Sequence, residues 1–340
     1  MTKIFRQVMC LLIAAILPAT VLSASAAETG QHIQKKRVIK KVSVKLTSKK
    51  FKKRIIVVNG KRKIIKTRVA SFADVIERPS AGDIAGLKHS HNPLALQSNV
   101  AFIVDQTSSE VLFEKNSDVS LPIASITKLM TSLVVVEANL DMNEIIEITT
   151  EDLDKEKGTS SRLKMGAKLS RADMLHIALM SSENRAASAL GRNYPGGLSA
   201  FVAAMNAKAR SLGMTDTHYV DSSGLSSQNV ASARDLVKLI NAAYQHPVIR
   251  EYSTDSKYVV RPSGRPLEYS TTNSLVANPG WDIGLQKTGY IAEAGRCLVM
   301  RAMIEGRAVV MVFLDSKGKY SRLADAGRIR KWLETVKPQA

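Results

Sequence analysis

A chain of 340 residues with 45% hydrophobic residues is long enough to bury an ordinary globular core. Its formal net charge of +19 is concentrated between Gly30 and Ala73, where twelve Lys and four Arg occur without one Asp or Glu. Such a block of like charge predicts a solvated segment that binds polyanions. Apart from Phe51, the region from Lys35 to Arg68 lacks aromatic side chains that could stack on bases, which argues against a nucleic-acid partner.

The first 27 residues have the order of a secretory signal peptide. Lys3 and Arg6 precede an apolar stretch from Val8 to Leu22, and Ala24-Ser25-Ala26 forms a small-residue cleavage site. The alternative is an uncleaved membrane anchor, but about 15 apolar residues are short for a bilayer span. We therefore expect secretion across the inner membrane into the periplasm, with no stable membrane anchor. Cys297 is then the lone cysteine of the mature chain, and we expect a buried core residue rather than a nucleophile.

Residues 28–92 form a basic, flexible leader. Asn59-Gly60 is a hairpin turn signal between two Ile-rich arms, so a small β-ribbon is one alternative. A mostly disordered tether is the other, and it is favoured because so much like charge opposes so little apolar area. In an exported protein, the polyanion that Lys35–Arg68 would bind is an anionic envelope polymer, a membrane headgroup or cell-wall glycopeptide.

Residues 93–340 have the pattern of one compact α/β domain. Its predicted elements, in chain order, are a strand at Val100–Val104 with a hairpin partner at Glu110–Phe113, a buried helix at Ile126–Ala138, helices capped by Ser170 and Ser232, strands at Ile283–Tyr290, Cys297–Ile304 and Ala308–Leu314, and a last helix at Ser321–Val336. Strands at both ends with helices between them predict an antiparallel sheet flanked by helices, with a helical insertion.

Three short motifs follow one another in this domain: Ser125-Ile126-Thr127-Lys128, Ser182-Glu183-Asn184 and Lys287-Thr288-Gly289. A serine becomes nucleophilic when a base removes its proton, and a Lys three residues further along a helix places its amine one turn away on the same face. That amine must be neutral, so its pKa has to be lowered by burial or by a neighbouring cation. We expect Lys287, on a facing strand, to supply that field and to bind a substrate carboxylate.

The remaining motif residues complete an acyl-transfer site. The N–H groups of Ser125 and Tyr290 would form the oxyanion hole. Ser182 would relay protons, Asn184 would hold the substrate amide, and Gly289 would let the substrate backbone approach its strand. The predicted catalytic residues are therefore Ser125, Lys128 and Ser182, and the predicted substrate-binding residues are Asn184, Lys287, Thr288, Gly289 and Tyr290.

Each motif is weak alone, because Ser316–Lys319 is a second S-x-x-K and Ser227-Gln228-Asn229 is a second S-x-N. Context separates them: Ser125 opens a long apolar helix, whereas Ser316 lies in a charged glycine turn. The sequence contains no His-Glu-x-x-His pair and no phosphate-cradling glycine loop, so we predict neither a metal nor a cofactor. His176 is interpreted as a structural residue.

The set of three motifs is typical of penicillin-binding proteins and class A β-lactamases. Over Leu94–Val336 the chain resembles the low-molecular-mass penicillin-binding proteins, S11-type serine peptidases that act as D-alanyl-D-alanine endopeptidases and carboxypeptidases. The resemblance is carried by Leu121–Met130, Asp221–Leu225 and Gln286–Ile291, and Glu293–Met300 is most similar to the periplasmic DD-endopeptidase branch.

The resemblance implies the β-lactamase/DD-peptidase (serine transpeptidase-like) fold. It also implies cleavage of D-Ala-diaminopimelate cross-links, and of terminal D-Ala, in peptidoglycan peptides through an acyl-enzyme, together with binding of β-lactams. Two alternatives remain open: a serine β-lactamase, which needs a base to activate water, and a non-catalytic wall-binding or β-lactam-sensing protein. The presence of Ser125, Lys128 and Lys287 favours the peptidase.

Overall fold

The computed structural model describes residues 51–58, 61–68 and 79–335, which fall into two units divided between Ala70 and Ser71. The first unit contains an antiparallel hairpin of β1 (Phe51–Val58) and β2 (Lys61–Arg68). Of the two alternatives for the leader, the β-ribbon is therefore the one found at these residues, because β-branched residues in both arms favour extended backbone. The predicted signal peptide, residues 1–27, lies outside the described residues.

The second unit contains the elements that form the site. Its helices are α1 (Ala81–Ile84), α2 (Thr127–Glu137), α3 (Arg171–Met180), α4 (Asn184–Arg192), α5 (Gly197–Ser211), α6 (Ala233–Tyr244), α7 (Pro247–Thr254) and α8 (Ser321–Thr335). Its strands are β3 (Ser98–Asp105), β4 (Val111–Lys115), β5 (Leu121–Pro122), β6 (Ile145–Glu147), β7 (Lys168–Ser170), β8 (Val230–Ala231), β9 (Lys257–Val260), β10 (Leu267–Ser270), β11 (Asp282–Ile291), β12 (Gly295–Ile304) and β13 (Arg307–Ser316). Among these helices none is long and apolar enough to cross a membrane.

Five strands form one antiparallel sheet in the order β11-β12-β13-β3-β4. The strands from the C-terminal third of the chain thus pair directly with those that begin the domain, as in the pairing of Val312 with Phe102. Helices α2 to α7 come from the segment between the two groups of strands. The predicted antiparallel sheet with a helical insertion is confirmed.

Both faces of the sheet are covered, which explains why its central strands are apolar throughout. Helix α8 packs Ala326, Ile329 and Leu333 on one face. The opposite face packs against the helical segment, whose centre is α2. Nine of the eleven residues of α2 are buried, so even its polar side chains must find partners inside the protein.

Residues 79–92 pack on the larger unit, so the domain boundary predicted at residue 93 is too late. Ser80 caps α1, and its hydroxyl donates a hydrogen bond to the buried Asp315 at 2.7 Å. Lys317 forms ion pairs with both Asp83 and Asp315. Ser80 and Asp315 are 235 residues apart in the sequence, and local patterns carry no information about such a contact.

Candidate active site

Ser125 lies on a short 3₁₀ turn, Ala124–Ile126, that leads directly into α2. The backbone of Ala124 has a φ of 48°, a left-handed value that is strained for a residue with a side chain. Gly224 packs against this turn so closely that a Cβ there would lie 2.0 Å from the Ala124 carbonyl oxygen. The predicted nucleophile is thus held on a strained turn that tertiary packing maintains.

Lys128 connects the first motif to the second. Its Nζ lies 3.0 Å from Ser125 Oγ, 2.8 Å from Asn184 Oδ1 and 2.6 Å from the Ser223 carbonyl oxygen. The amide and carbonyl oxygens can only accept hydrogen bonds, so they take two N–H groups of the amine. In a neutral amine the lone pair then remains for the Ser125 hydroxyl, which is the arrangement that a general base requires.

Burial is the main cause of the altered basicity of Lys128. The side chain is fully buried, and burial lowers its pKa to about 7, while the charges of Asp221 and Glu183 act to raise it. Of the two predicted causes, burial and the field of Lys287, burial is the dominant one, and the sequence alone does not show how deeply α2 is buried.

Two further basic side chains, Lys287 and Arg322, are buried in this domain. Burial lowers the pKa of Lys287 well below its ordinary value, and the charges of Lys128 and Arg322 lower it further. Arg322, at the start of α8, is 8% exposed, and its Nε has no hydrogen-bond partner among residues 79–335. Buried cations without a carboxylate partner are costly, so this group is suited to bind an anion. Arg322 was not predicted as a site residue, since nothing in its local pattern distinguishes it from the other arginines of α8.

The second motif lies between α3 and α4. Ser182 has a left-handed φ of 61°, and Asn184 is the first residue of α4, where its Oδ1 reaches Lys128. Glu183 caps α4 and is buried, with its second oxygen 3.3 Å from the Tyr269 hydroxyl. In the described part of the chain the Ser182 hydroxyl, predicted to relay protons, makes no hydrogen bond. The residue of this motif that Lys128 contacts is Asn184.

The third motif lies on β11, which forms one edge of the sheet. A Cβ at Gly289 would lie 3.1 Å from the Ser125 nitrogen, so glycine permits the predicted close approach of this strand to the nucleophile. The Thr288 hydroxyl is 2.6 Å from that of Thr272. Tyr290 is 54% exposed, with its ring beneath the guanidinium of Arg296.

A loop at residues 221–224 completes the site and was missed as a functional element. The Asp221 carboxylate accepts hydrogen bonds from the N–H groups of Ser223 and Gly224, both at 2.6 Å. These bonds fix the Ser223 carbonyl towards Lys128 and place Gly224 beneath the nucleophile turn. The signal was available, because Asp followed by small residues and Gly is a turn that its own side chain stabilises.

The two competing motif matches are structural. In the first, the Ser316 hydroxyl donates to Ser321 Oγ at 2.7 Å, and the Lys319 amine lies 5.1 Å from the centroid of the Tyr320 ring instead of reaching Ser316. The buried Asn229 donates a hydrogen bond to Thr127 Oγ1 at 3.1 Å and so fastens the 220s segment to α2. Cys297 is buried as predicted, and burial raises the pKa of its thiol to about 12.

His176 is a structural residue, as predicted. Its ring stacks between those of Tyr252 and Tyr258, with centroids 4.2 and 3.8 Å away. Its Nε2 lies 2.8 Å from a carboxylate oxygen of Asp255. Within residues 79–335, no group of three His, Cys, Asp or Glu side chains is placed to hold a metal ion.

Comparisons with known proteins give the same picture. The family model of the S11 peptidases, described as D-alanyl-D-alanine carboxypeptidase, matches residues 87–318. The D-alanyl-D-alanine endopeptidase of Pseudomonas aeruginosa is 48% identical over 71% of this chain and 78% of its own length. The protein of that name from Escherichia coli is 46% identical over 71% of this chain and 79% of its own length.

Solved structures agree with this fold. The Streptomyces K15 DD-transpeptidase is 25% identical, with a TM-score of 0.66 over 71% of this chain and 98% of its own. A D-alanyl-D-alanine carboxypeptidase from Mycobacterium tuberculosis is 26% identical, with a TM-score of 0.64 over 72% of this chain and 93% of its own. The chain therefore belongs to the S11 peptidase family, the family of the D-alanyl-D-alanine carboxypeptidases.

Proposed function

We propose that this protein is a serine DD-peptidase that cleaves D-Ala-diaminopimelate cross-links of peptidoglycan through an acyl-enzyme, with terminal D-Ala as a second substrate. The observation that carries the proposal is the 3.0 Å contact between Lys128 Nζ and Ser125 Oγ inside a buried site. The endopeptidase assignment is supported by the two relatives named D-alanyl-D-alanine endopeptidase, which are 46% and 48% identical to this chain.

In the acylation step, the neutral Lys128 amine removes the Ser125 proton while Oγ attacks the D-Ala carbonyl carbon. The N–H groups of Ser125 and Tyr290 hold the resulting oxyanion. The scissile C–N bond then breaks, and the leaving amine takes the proton of the Lys128 ammonium. Water attacks the ester in the second step, with Lys128 again as base, and releases the peptide acid and free Ser125.

Lys287, Arg322 and Thr288 would bind the carboxylate of the leaving residue. Support comes from the two buried cations, which have no carboxylate partner within residues 79–335. An anion placed between them would offset their mutual repulsion and the cost of their burial. Asn184 would hold the substrate amide beside Lys128. Penicillin presents a carboxylate and a reactive amide in a similar relation, so it should acylate Ser125.

The β-lactamase alternative receives less support from the site. Fast deacylation needs a carboxylate or another base that is free to activate water. Glu183, the acidic residue of the second motif, has its first oxygen engaged by the backbone N–H of Arg185 and its second by the Tyr269 hydroxyl. The third alternative, a protein without catalytic activity, is disfavoured by the contact between Lys128 and Ser125.

The proposal also covers the location of the enzyme in the cell and the role of its basic leader. Export to the periplasm rests on the signal-peptide pattern of residues 1–27, and it would bring the enzyme to peptidoglycan. Eight of the sixteen residues in β1 and β2 are Lys or Arg. This density of positive charge supports binding of the Lys35–Arg68 region to an anionic envelope polymer.

Digestion of purified cross-linked muropeptides, with products identified by mass, tests the proposal. Dimers should be converted to monomers, and penicillin should add covalently to Ser125 and be released slowly. Rapid turnover of penicillin with dimers left intact would instead identify a β-lactamase. No product and no adduct would identify a protein without catalytic activity. A Ser125→Ala variant is the matched control for both reactions.

A further inference from the structure

A cavity of about 370 Å³ lies beside the second motif. Its lining comes from three segments: Ser160–Arg162, Ser181–Asn184 and Tyr269. Because Asn184 lines the cavity and also contacts Lys128, the cavity adjoins the catalytic centre. None of the roles assigned above uses Arg162 or Tyr269.

Arg162 is held in place although it is exposed. Its guanidinium lies 4.0 Å from the centroid of the Tyr269 ring, and one N–H donates to the Glu268 carbonyl oxygen at 2.6 Å. Within residues 79–335 it has no carboxylate partner, so its other N–H donors can reach a ligand. A guanidinium fixed in this way loses little conformational entropy when it binds a carboxylate.

The wall behind Arg162 is rigid and is joined to the second motif. Tyr269 is buried, and its hydroxyl donates to Glu183 at 3.3 Å. Glu183 in turn caps the helix that begins with Asn184. The Nδ2 of Asn184 donates to Thr159 Oγ1 at 3.2 Å, which anchors the segment that carries Ser160 to Arg162. The cavity therefore has a fixed position relative to Lys128.

The contacts of β11 indicate which part of a substrate would enter the cavity. The Thr288 hydroxyl meets that of Thr272, and the Thr272 N–H donates to the Met180 carbonyl at 3.2 Å, directly before the second motif. In the proposed function, Lys287 and Thr288 bind the carboxylate of the leaving residue. The leaving group would thus lie next to residues 180–184, and the remainder of a large leaving group would extend into the cavity.

We infer that this cavity is the subsite for the second stem peptide of a cross-link, the peptide that departs with the leaving amine. The inference rests on the proposed DD-endopeptidase function and adds a recognition site to it. Stem peptides carry free carboxylates beyond the scissile amide, and Arg162 would bind one of them, while the serine hydroxyls bind peptide groups. A released D-Ala carries no peptide beyond its own carboxylate, so the subsite would act on cross-linked substrates alone.

The test compares the full mature protein with its Arg162→Gln and Arg162→Lys variants. Lys164→Gln is the matched control, since it removes an exposed cation from the same segment, outside the cavity. Three rates are measured for each protein: cleavage of a purified D-Ala-diaminopimelate muropeptide dimer, release of D-Ala from the monomeric pentapeptide, and acylation by penicillin.

In Arg162→Gln, the ratio of kcat/KM for the dimer to that for the pentapeptide should fall about tenfold, mainly through a higher KM, because one charge-assisted contact is lost. Arg162→Lys should recover part of the ratio, and Lys164→Gln should retain the wild-type value. An unchanged ratio in Arg162→Gln would overturn the inference. An equal fall in all three rates would also overturn it and assign Arg162 a structural role. A wild-type enzyme that releases D-Ala but leaves dimers intact would instead refute the proposed endopeptidase function, and the subsite with it.

Discussion

The protonation of Lys128 should control how fast Ser125 is acylated. Burial lowers the pKa of this amine from 10.5 to about 7, against the attraction of Asp221 and Glu183. The displacement corresponds to about 5 kcal/mol of destabilisation of the ammonium form relative to the amine. Only the neutral amine can accept the Ser125 proton, so the competent fraction of the enzyme increases as the pH rises through 7. At about pH 5 roughly one molecule in a hundred is competent, and acylation should be about a hundredfold slower than on the alkaline plateau.

The assay is the rate constant for acylation by a fluorescent penicillin, followed by stopped flow at constant ionic strength from about pH 5 to 9. Lys128→Ala should be slower by about 10²–10⁴-fold and should lose the inflection near neutrality. Lys164→Ala, which removes an exposed lysine, should keep both the rate and the inflection. A wild-type pH profile whose midpoint lies close to the ordinary pKa of lysine would refute the assignment of Lys128 as the base. An unchanged inflection in the profile of Lys128→Ala would refute it as well.

Three further outcomes are expected. Lys287→Gln should slow acylation about tenfold at every pH, because the substrate loses a partner for its carboxylate. It should also raise the pH at the midpoint of the acylation profile, because Lys128 loses a repelling neighbour. The same pH series measures both effects. Gly224→Ala should reduce the free energy of unfolding by about 3 kcal/mol, measured by urea titration, since its Cβ would lie 2.0 Å from the Ala124 carbonyl oxygen. A truncated chain that begins at residue 79 should unfold at the same temperature as the mature protein. A chain that begins at residue 91 should melt at a lower temperature, because its free energy of unfolding falls by about 2 kcal/mol when Asp315 loses the hydrogen bond from the Ser80 hydroxyl.

Each of these three predictions would be contradicted by a specific result. Unchanged acylation kinetics in Lys287→Gln would assign carboxylate binding to another cation. A Gly224→Ala protein as stable as the wild type would show that the nucleophile turn can relax. Equal melting temperatures for the two truncated chains would show that residues 79–90 contribute nothing to the stability of the larger unit.

The sequence by itself determined the elements with strong local signals. The apolar runs predicted β3, α2 and the three strands β11 to β13, and the cap residues Ser170 and Ser232 accept the expected backbone hydrogen bonds in the structure. Spacing within each motif also determined which residues share a helix turn, as with Ser125 and Lys128. These features depend on neighbours a few residues away, so a single sequence contains them.

Only the tertiary structure decided which groups act on one another. Burial of α2 on all sides, and not the charge of Lys287, is the main reason that the pKa of Lys128 is low. The charge of Arg322, on the last helix, acts on Lys287, and the Ser223 carbonyl reaches Lys128 from a turn 95 residues further along the chain. The hydrogen bond between Ser80 and Asp315 likewise shows that the larger unit begins before the boundary predicted at residue 93. Hydration loss and contacts across such separations arise when the whole chain packs, and local residue patterns do not specify them.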